Sequence, residues 1–200
     1  KHNQLDRNTA TNRLCGIFFK QLEKLIKASK NGDEIMQMPE PDQQIIARRE
    51  TICAALSKLV PAGSVVSSKE GRRAFDADGL SAYRQSPLAV ILPETVEQLA
   101  AVMKFCHSKG IKVVPRGAGT SLSGGALPLA DAVLIGLGKF NRILDIDYAN
   151  RCVVAQPGVT NLAITHAVQG NGFYYAPDPS SQIACSVGGN VAENSGGVHC

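Results

Sequence analysis

The middle of the chain alternates between short apolar runs and a helical spacing of apolar residues. Residues 88–92 form an apolar run that ends at a proline, which predicts a short buried strand. Thr95 is followed by Gln98 at the spacing of a capping box, and apolar side chains then recur at three- and four-residue steps. Residues 111–114 predict a second strand, so the whole stretch is interpreted as a β-α-β unit.

The pattern continues downstream with further strands and one helix. Residues 132–137 form another apolar run, and residues 142–146 and 151–156, joined by a polar turn, predict a hairpin. Thr160 is placed to cap a helix that runs through Val168. The rest of the chain is rich in Pro, Ser, Gly and Asn and predicts loop structure.

The chain before this region carries two helical patterns. Residues 1–37 are polar, with apolar residues at helical spacing, and are interpreted as an N-terminal extension that is helical or non-native. Asp42 is placed to cap a helix running to about Leu59. Residues 38–75 are therefore expected to be a helical lead-in, and residues 76–200 the main domain.

Composition and charge narrow the function class. A chain of 200 residues with 44% hydrophobic residues suits one well-formed core. Residues 1–73 hold 13 basic and 8 acidic side chains, whereas residues 74–200 hold 8 and 9. Nucleic-acid binding is not expected, because the basic excess is diffuse and lies outside the glycine-rich part of the chain.

The six cysteines and the apolar runs exclude other classes. No two cysteines form a C-x-x-C pair, so free buried thiols in a reducing compartment are expected, with no metal site. No apolar run approaches the roughly 20 residues of a transmembrane helix, so no transmembrane segment is expected.

A glycine-rich segment directly follows the second predicted strand. This first glycine-rich segment spans residues 115–126 and reads PRGAGTSLSGGA. Glycines let successive backbone N–H groups converge on an anion, hydroxyls add donors, and an arginine adds a permanent positive charge. The candidate binding residues are Arg116, Gly117, Ala118, Gly119, Thr120, Ser121, Leu122, Ser123 and Gly124.

Two familiar phosphate-binding motifs do not fit this segment. The dinucleotide fingerprint G-x-G-x-x-G fails because Leu122 occupies the third glycine position. The P-loop fails because Gly125 and Ala126 stand where it has Lys and Ser or Thr. From this segment alone, a diphosphate loop and a flexible surface loop both remain open.

A second glycine-rich segment, residues 177–200, favours the ligand-binding interpretation. It again combines glycine pairs with small polar donors, and Ile183, Val187 and Val191 within it indicate a loop that packs on a core while lining a ligand. Two such segments suit a long ligand with a charged middle. Its candidate binding residues are Pro177, Asp178, Ser180, Ser181, Gly188, Gly189, Asn190, Asn194 and Gly196.

Together with residues 78–84 (DGLSAYR), the two segments resemble the FAD-binding domain shared by the vanillyl-alcohol oxidase and p-cresol methylhydroxylase family, and within it the glycolate oxidase D-subunit branch. The resemblance implies an α+β fold with two α/β subdomains, incomplete in this chain. It implies that residues 116–125 hold the FAD diphosphate through backbone amides. It also implies that residues 177–181 and 186–197 line the flavin and ribityl side.

The resemblance also implies a reaction. An FAD-dependent enzyme of this family would oxidise a 2-hydroxy acid, here glycolate to glyoxylate, and pass the electrons to a downstream acceptor. The alternatives are a D-lactate or other D-2-hydroxy-acid dehydrogenase, or a non-catalytic truncated fragment. Some relatives attach FAD through a histidine in the first segment. Because residues 116–125 contain none, non-covalent FAD is expected, and His199 is assigned a structural role.

The remaining expectations concern catalysis and partners. The substrate-side His, Arg and Lys residues of this family lie in a C-terminal cap domain, so no catalytic residue is assigned and the 200 residues alone are expected to be inactive. Two roles remain open for Arg84, namely binding a substrate carboxylate and forming a surface salt bridge. The implied partners are a small 2-hydroxy acid, a second flavin subunit and an iron–sulfur subunit. The implied location is cytoplasmic, peripheral at the inner membrane through those subunits.

Overall fold

The computed structural model of the protein describes residues 38–199, so the helix predicted within residues 1–37 lies outside the described residues. The compact unit that contains the sheet begins at Glu40. Asp42 caps the first helix as predicted, because its Oδ1 accepts from the Gln44 amide at 2.8 Å. The helix that follows, however, is interrupted well before residue 59.

Two short helices replace the single one predicted here. The backbone of Arg48 leaves the helical region, with φ −93° and ψ 11°, and divides α1 from α2. The Arg49 side chain then donates to the carbonyl oxygens of Leu88, at 2.9 Å, and Ser67. Arg49 is far in the sequence from both of these carbonyl groups, so the spacing of apolar residues could not predict the contacts. The helices are α1 (Gln43–Ala47) and α2 (Arg49–Leu56).

A four-stranded sheet forms the centre of the unit. Its strands, in chain order, are β1 at residues 65–66, β2 at 89–91, β3 at 112–116 and β4 at 132–136. Their order in the sheet is β1-β2-β4-β3, with β1 antiparallel and the other strands parallel. The predicted β-α-β unit is confirmed as β2-α4-β3, and Thr95 Oγ1 accepts from the Gln98 amide at 3.3 Å. The elements are β1 (Val65–Val66), α3 (Lys69–Arg73), β2 (Ala89–Ile91), α4 (Val96–Ser108), β3 (Lys112–Arg116) and β4 (Ala132–Gly136).

Strand β4 lies between β2 and β3, and all five of its residues are buried. The helices pack on the sheet through a cluster that includes Leu56, Val102 and Cys106, each with no exposed surface. Burying each large side chain of this kind contributes roughly 1.5–3 kcal/mol. The sheet is therefore a rigid platform, and the first glycine-rich segment begins where β3 ends.

The second half of the unit is built from a hairpin and two helices. The predicted hairpin is confirmed, with the Asp147 carboxylate accepting from the backbone and side-chain amides of Asn150 in the turn. Thr160 caps α5 as predicted, since Oγ1 accepts from the Ala163 amide at 3.2 Å. The elements are β5 (Ile143–Asp147), β6 (Cys152–Ala155), α5 (Asn161–Val168), a 3₁₀ turn (Gln169–Asn171) and α6 (Val187–Glu193).

Helix α6 corrects the prediction that the chain beyond residue 172 is loop. It contains the Gly188–Gly189 pair, which opposes helix formation by about 1 kcal/mol per glycine relative to alanine. The helix is held instead at its ends. Ser186 Oγ accepts from the Gly189 amide, and Asn194 adopts the left-handed conformation of a C-terminal cap, with φ 55°.

Other expectations concern thiols, metals and membranes. Within the described part of the chain, Cys53, Cys106, Cys152 and Cys185 are free, and only Cys152 is exposed. Burial raises the pKa of the Cys106 thiol to about 11, which keeps it protonated and unreactive. Residues 38–199 contain no group of side chains that could hold a metal ion. No helix in that range is long and apolar enough to cross a membrane.

Candidate functional site

The first glycine-rich segment leaves the carboxyl end of β3 and turns sharply. Gly119 and Gly124 both have positive φ angles, of 75° and 77°. The segment stays joined to the sheet, because the Leu137 amide donates to the Arg116 carbonyl at 2.9 Å. Its hydroxyl-bearing part is ordered by an internal bond from the Ser123 amide to Ser121 Oγ at 3.2 Å.

The side chain of Arg116 folds back beneath its own segment. Its guanidinium donates to the carbonyl oxygens of Phe75, at 3.0 Å, and Ala77, at 2.5 Å, and lies 5.9 Å from the Phe75 ring centre. The guanidinium packs so closely on Gly119 that a side chain there would collide with it. Arg116 therefore fastens residues 75–77 to the segment through its guanidinium.

Acidic side chains near Arg116 balance its charge. Burial lowers the pKa of Arg116, and the nearby carboxylates of Asp78 and Asp76 oppose that shift. Asp78 is 9% exposed; its Oδ1 accepts from the Leu80 amide at 2.9 Å, while Oδ2 has no partner within the described structure. Arg84 forms an exposed ion pair with Asp76 at 3.2 Å. Of the two interpretations left open for Arg84, this contact corresponds to the surface salt bridge.

The second glycine-rich segment is anchored on the loop before α5. The Val187 amide donates to the Val159 carbonyl and the Gly188 amide to the Pro157 carbonyl, each at 2.8 Å. The two segments meet where Gly117 lies against Ser186, so closely that a Cβ on Gly117 would overlap Ser186 Oγ. This contact fixes the distance between them.

A buried amide cluster lies behind the second segment. Asn161 is 1% exposed, and its Nδ2 donates to the Pro177 carbonyl at 2.8 Å. Its Oδ1 accepts from Asn190 Nδ2 at 2.6 Å and from the Cys185 thiol at 3.4 Å. One side chain thus joins three parts of the second segment to the start of α5. The predictions missed Asn161, because neither its spacing nor its neighbours in the sequence mark it.

Asp178 closes the far end of the second segment. Its amide donates to the Gly196 carbonyl at 2.9 Å, and its carboxylate accepts from the His199 amide at 3.1 Å and contacts His199 Nδ1 at 2.6 Å. The hydrogen bonds from the His199 amide and then from its ring lower the pKa of Asp178. The pair ties residues 177–178 to residues 196–199.

The two segments enclose an open cleft of about 880 Å³. Most of the candidate residues line it, as do residues the predictions missed, among them Gly79, Leu137 and Pro157. The candidates that line the cleft are Arg116, Gly117, Ala118, Gly119, Thr120, Ser121, Leu122, Ser123, Ser180, Ser181, Gly188, Gly189 and Asn190. The candidates outside its lining are Gly124, Pro177, Asp178, Asn194 and Gly196.

Apolar residues of the second segment do not pack as predicted. Ile183 and Val191 are 78% and 79% exposed, so the expectation that they anchor the segment on a core is wrong. The anchoring is done by the buried Asn161 and by backbone bonds. The cleft itself presents glycine backbone, hydroxyls and two charged side chains, Arg116 and Glu193, which suits a long ligand whose charged middle is held by amides.

Comparison with known proteins agrees with this geometry. The chain is 53% identical over 152 residues to glycolate oxidase subunit GlcD of Escherichia coli K12, covering 76% of this chain and 30% of that protein. It is 30% identical over 175 residues to mitochondrial D-2-hydroxyglutarate dehydrogenase of Bos taurus, covering 86% and 32%. The chain thus spans about a third of the length of these relatives.

The fold agrees as well. p-Cresol methylhydroxylase superposes with a TM-score of 0.63 at 21% identity, over 76% of this chain and 30% of that one. Residues 87–200 match the family described as FAD binding domain, and these residues include both glycine-rich segments and every residue that lines the cleft except Gly79. The chain therefore belongs to the FAD binding domain family, with the fold of the p-cresol methylhydroxylase type.

Proposed function

We propose that the protein oxidises a 2-hydroxy acid, glycolate to glyoxylate, with FAD held non-covalently and with the electrons passed to a further acceptor. The observation that carries the proposal is the identity with the glycolate oxidase subunit, which well exceeds that with the D-2-hydroxyglutarate dehydrogenase. The related 2-hydroxy acids D-lactate and D-2-hydroxyglutarate are the competing substrates. The protein's partners in this proposal are a second flavin subunit and an iron–sulfur subunit, which would hold it at the inner face of a membrane.

The first glycine-rich segment would hold the diphosphate of FAD. Its backbone amides, with the hydroxyls of Thr120, Ser121 and Ser123, supply the donors, since the Arg116 guanidinium is engaged by backbone carbonyls. The opposite wall would face the flavin and ribityl portion through Ser180, Ser181 and residues 188–190. The chemistry that bound FAD supplies is two-electron acceptance, which converts the substrate's C–H and O–H into the C=O of the keto acid.

The chain's own contribution in this proposal is binding and orientation. The joined walls fix the separation of the diphosphate and flavin portions, and the buried Asn161 keeps one wall in place. Cys185 lines the cleft but donates to Asn161, so it is a packing residue in this scheme. No residue of the described range is assigned as the base that takes the substrate hydroxyl proton.

The full-length gene product is expected to purify yellow and to release its flavin on denaturation. With an artificial electron acceptor, we expect turnover of glycolate to exceed that of D-lactate and D-2-hydroxyglutarate at equal concentrations. Flavin that remains with the precipitated protein after acid treatment would contradict non-covalent binding. A preference for D-2-hydroxyglutarate would replace glycolate as the substrate and leave the FAD site intact.

Substitution of Arg116 tests whether it braces the segment or contacts the phosphate. We expect Arg116→Lys and Arg116→Ala in the full-length gene product to weaken FAD binding alike, each by roughly tenfold. Lysine lacks the planar fork that directs separate N–H groups at the carbonyls of residues 75 and 77, and alanine has no donor. Lysine keeps the positive charge, so a direct phosphate contact would leave Arg116→Lys close to the wild type. Arg84→Ala, which removes an exposed cation, is the control and should bind FAD normally.

A further inference from the structure

The amide cluster behind the second glycine-rich segment has a fixed polarity. The Pro177 carbonyl can only accept, so the amide group of Asn161 that meets it must be Nδ2. Asn161 Oδ1 is then an acceptor, and the Cys185 thiol donates to it as well. The amide group of Asn190 that meets Asn161 Oδ1 at 2.6 Å must in turn be its Nδ2.

This chain of donors and acceptors leaves one atom for the cleft. Asn190 lines the cleft while being only 9% exposed, and its Nδ2 is directed at Asn161, to which one of its two N–H groups donates. With Nδ2 turned toward Asn161, Oδ1 is the amide atom that can face the cleft. Without Asn161, the Asn190 amide could rotate and present its NH₂ group instead. Asn161 thus decides whether this wall offers an acceptor or a donor.

Because Asn190 Oδ1 is a hydrogen-bond acceptor, it determines which part of a ligand can lie against it. The oxygens of an ionised diphosphate only accept, so Asn190 Oδ1 would repel them. Hydroxyl and N–H groups donate, and the flavin–ribityl portion of FAD carries both. The first segment, whose backbone amides and hydroxyls are the donors in the proposed function, suits the diphosphate. At Asn190 the second segment therefore offers an acceptor where the first segment offers donors.

Resting on the proposed FAD site, we propose that Asn161 is a positioning residue that sets Asn190 to accept a hydrogen bond from an O–H or N–H donor of the flavin–ribityl portion. Asn161 itself does not line the cleft. Its effect on the cofactor passes through Asn190, and the loss of either side chain should remove the same interaction.

The test is a double-mutant cycle on cofactor affinity in the full-length gene product, made as apoprotein and titrated with FAD while flavin fluorescence is followed. We expect Asn161→Leu and Asn190→Leu each to weaken FAD binding by about tenfold, the loss of one well-placed hydrogen bond. In the double variant the loss should stay near tenfold, because both changes remove one interaction. Multiplied losses of about a hundredfold would overturn the proposal, as would wild-type affinity in Asn161→Leu.

The probe ADP separates the two walls. We expect Asn161→Leu to leave ADP affinity within about twofold of wild type, because ADP lacks the flavin–ribityl portion. An equal loss for ADP and FAD would mean that Asn161 only maintains the shape of the whole cleft, and would overturn the proposal. Leu56→Ala, a core change beneath the sheet, controls for lost stability and should leave FAD affinity unchanged.

A second variant keeps the test decisive if leucine at position 161 prevents folding. In Asn161→Asp the neutral carboxylic acid can still donate to the Pro177 carbonyl and accept from Asn190, whereas the carboxylate can only accept. Either form keeps an oxygen that accepts from Asn190 Nδ2, so FAD affinity of this variant should stay near that of the wild type; a loss as large as that of Asn190→Leu overturns the proposal. If the wild-type protein has no affinity for FAD, the proposed function is refuted as well. If every Asn161 variant binds FAD normally, only the positioning role of Asn161 is refuted.

Discussion

Replacing Gly117 with valine should weaken FAD binding by about a hundredfold while the sheet remains folded, near the upper end of the ~1–3 kcal/mol that overpacking costs. Gly117 is the point where the two glycine-rich segments meet. A Cβ at this position would overlap Ser186 Oγ and lie 3.3 Å from Ser186 Cβ. The collision is steric, so it depends on the added side chain and not on the backbone conformation.

Ser186 cannot move aside without cost. Its Oγ accepts from the Gly189 amide and caps α6, which would lose about 1 kcal/mol if the serine rotated away. The alternative is to displace the second segment outward. Either response changes the separation of the two walls, and an elongated cofactor could then satisfy only one of them at a time. The effect is therefore expected on affinity, with little effect on the core.

The measurement is a titration of the apoprotein with FAD, alongside thermal unfolding of the same samples. Gly138→Val is a matched control, because a Cβ at Gly138 meets nothing within 4 Å. Removing the obstructing hydroxyl in Gly117→Ala/Ser186→Ala should recover part of the affinity lost in Gly117→Ala. If Gly117→Val bound FAD as tightly as Gly138→Val, the contact between the segments would not set the width of the cleft.

The order of the elements from β2 to α5 could be predicted from the sequence, and the placement of β4 could not. Strand β4 follows β3 in the chain but pairs between β2 and β3. An apolar run such as residues 132–137 indicates a buried strand because both of its faces are covered, but it carries no information about which strands flank it. The pairing depends on packing across the whole unit.

The candidate site, too, could be predicted from the sequence only in part. The glycine-rich segments could be predicted because residue type and local order suffice to indicate converging amides. The direction of the Arg116 side chain could not, since its partners Phe75 and Ala77 lie about 40 residues earlier in the chain. Helix α6 was hidden by the low helix propensity of its glycines, and Asn161 by the lack of any local motif.

A clear effect on stability is expected from Asp131, a 2% exposed carboxylate immediately before β4. Its Oδ2 accepts from the Asp42 amide at 2.9 Å and from Lys112 Nζ at 2.7 Å. It thus joins the α1 cap, β3 and β4. Asp131→Ala should lower the free energy of unfolding by about 2 kcal/mol at pH 7, because it removes both hydrogen bonds and leaves the Asp42 amide without its acceptor.

The pH dependence of this loss has a definite sign. Burial acts to raise the pKa of Asp131, but the hydrogen bonds from Lys112 and the Asp42 amide, with the lysine charge, outweigh burial and hold the pKa below its ordinary value. The carboxylate therefore stabilises the fold fully above its unfolded pKa of about 3.9, and that stability is lost as the pH falls through the lower folded value. The difference between wild type and Asp131→Ala should be constant from pH 6 to 8 and should shrink below about pH 4.

Urea unfolding at pH 7 and pH 3.5 measures this difference, with Glu94→Ala as the matched control. Glu94 also pairs with a lysine at 2.7 Å, through Lys139 Nζ, but its side chain is 47% exposed. Solvent screens that pair, so its removal should cost no more than about 1 kcal/mol. The two variants could instead be destabilised equally, or the difference in free energy of unfolding between wild type and Asp131→Ala could grow as the pH falls. Either result would mean that the Asp131 contacts are no stronger than an exposed ion pair.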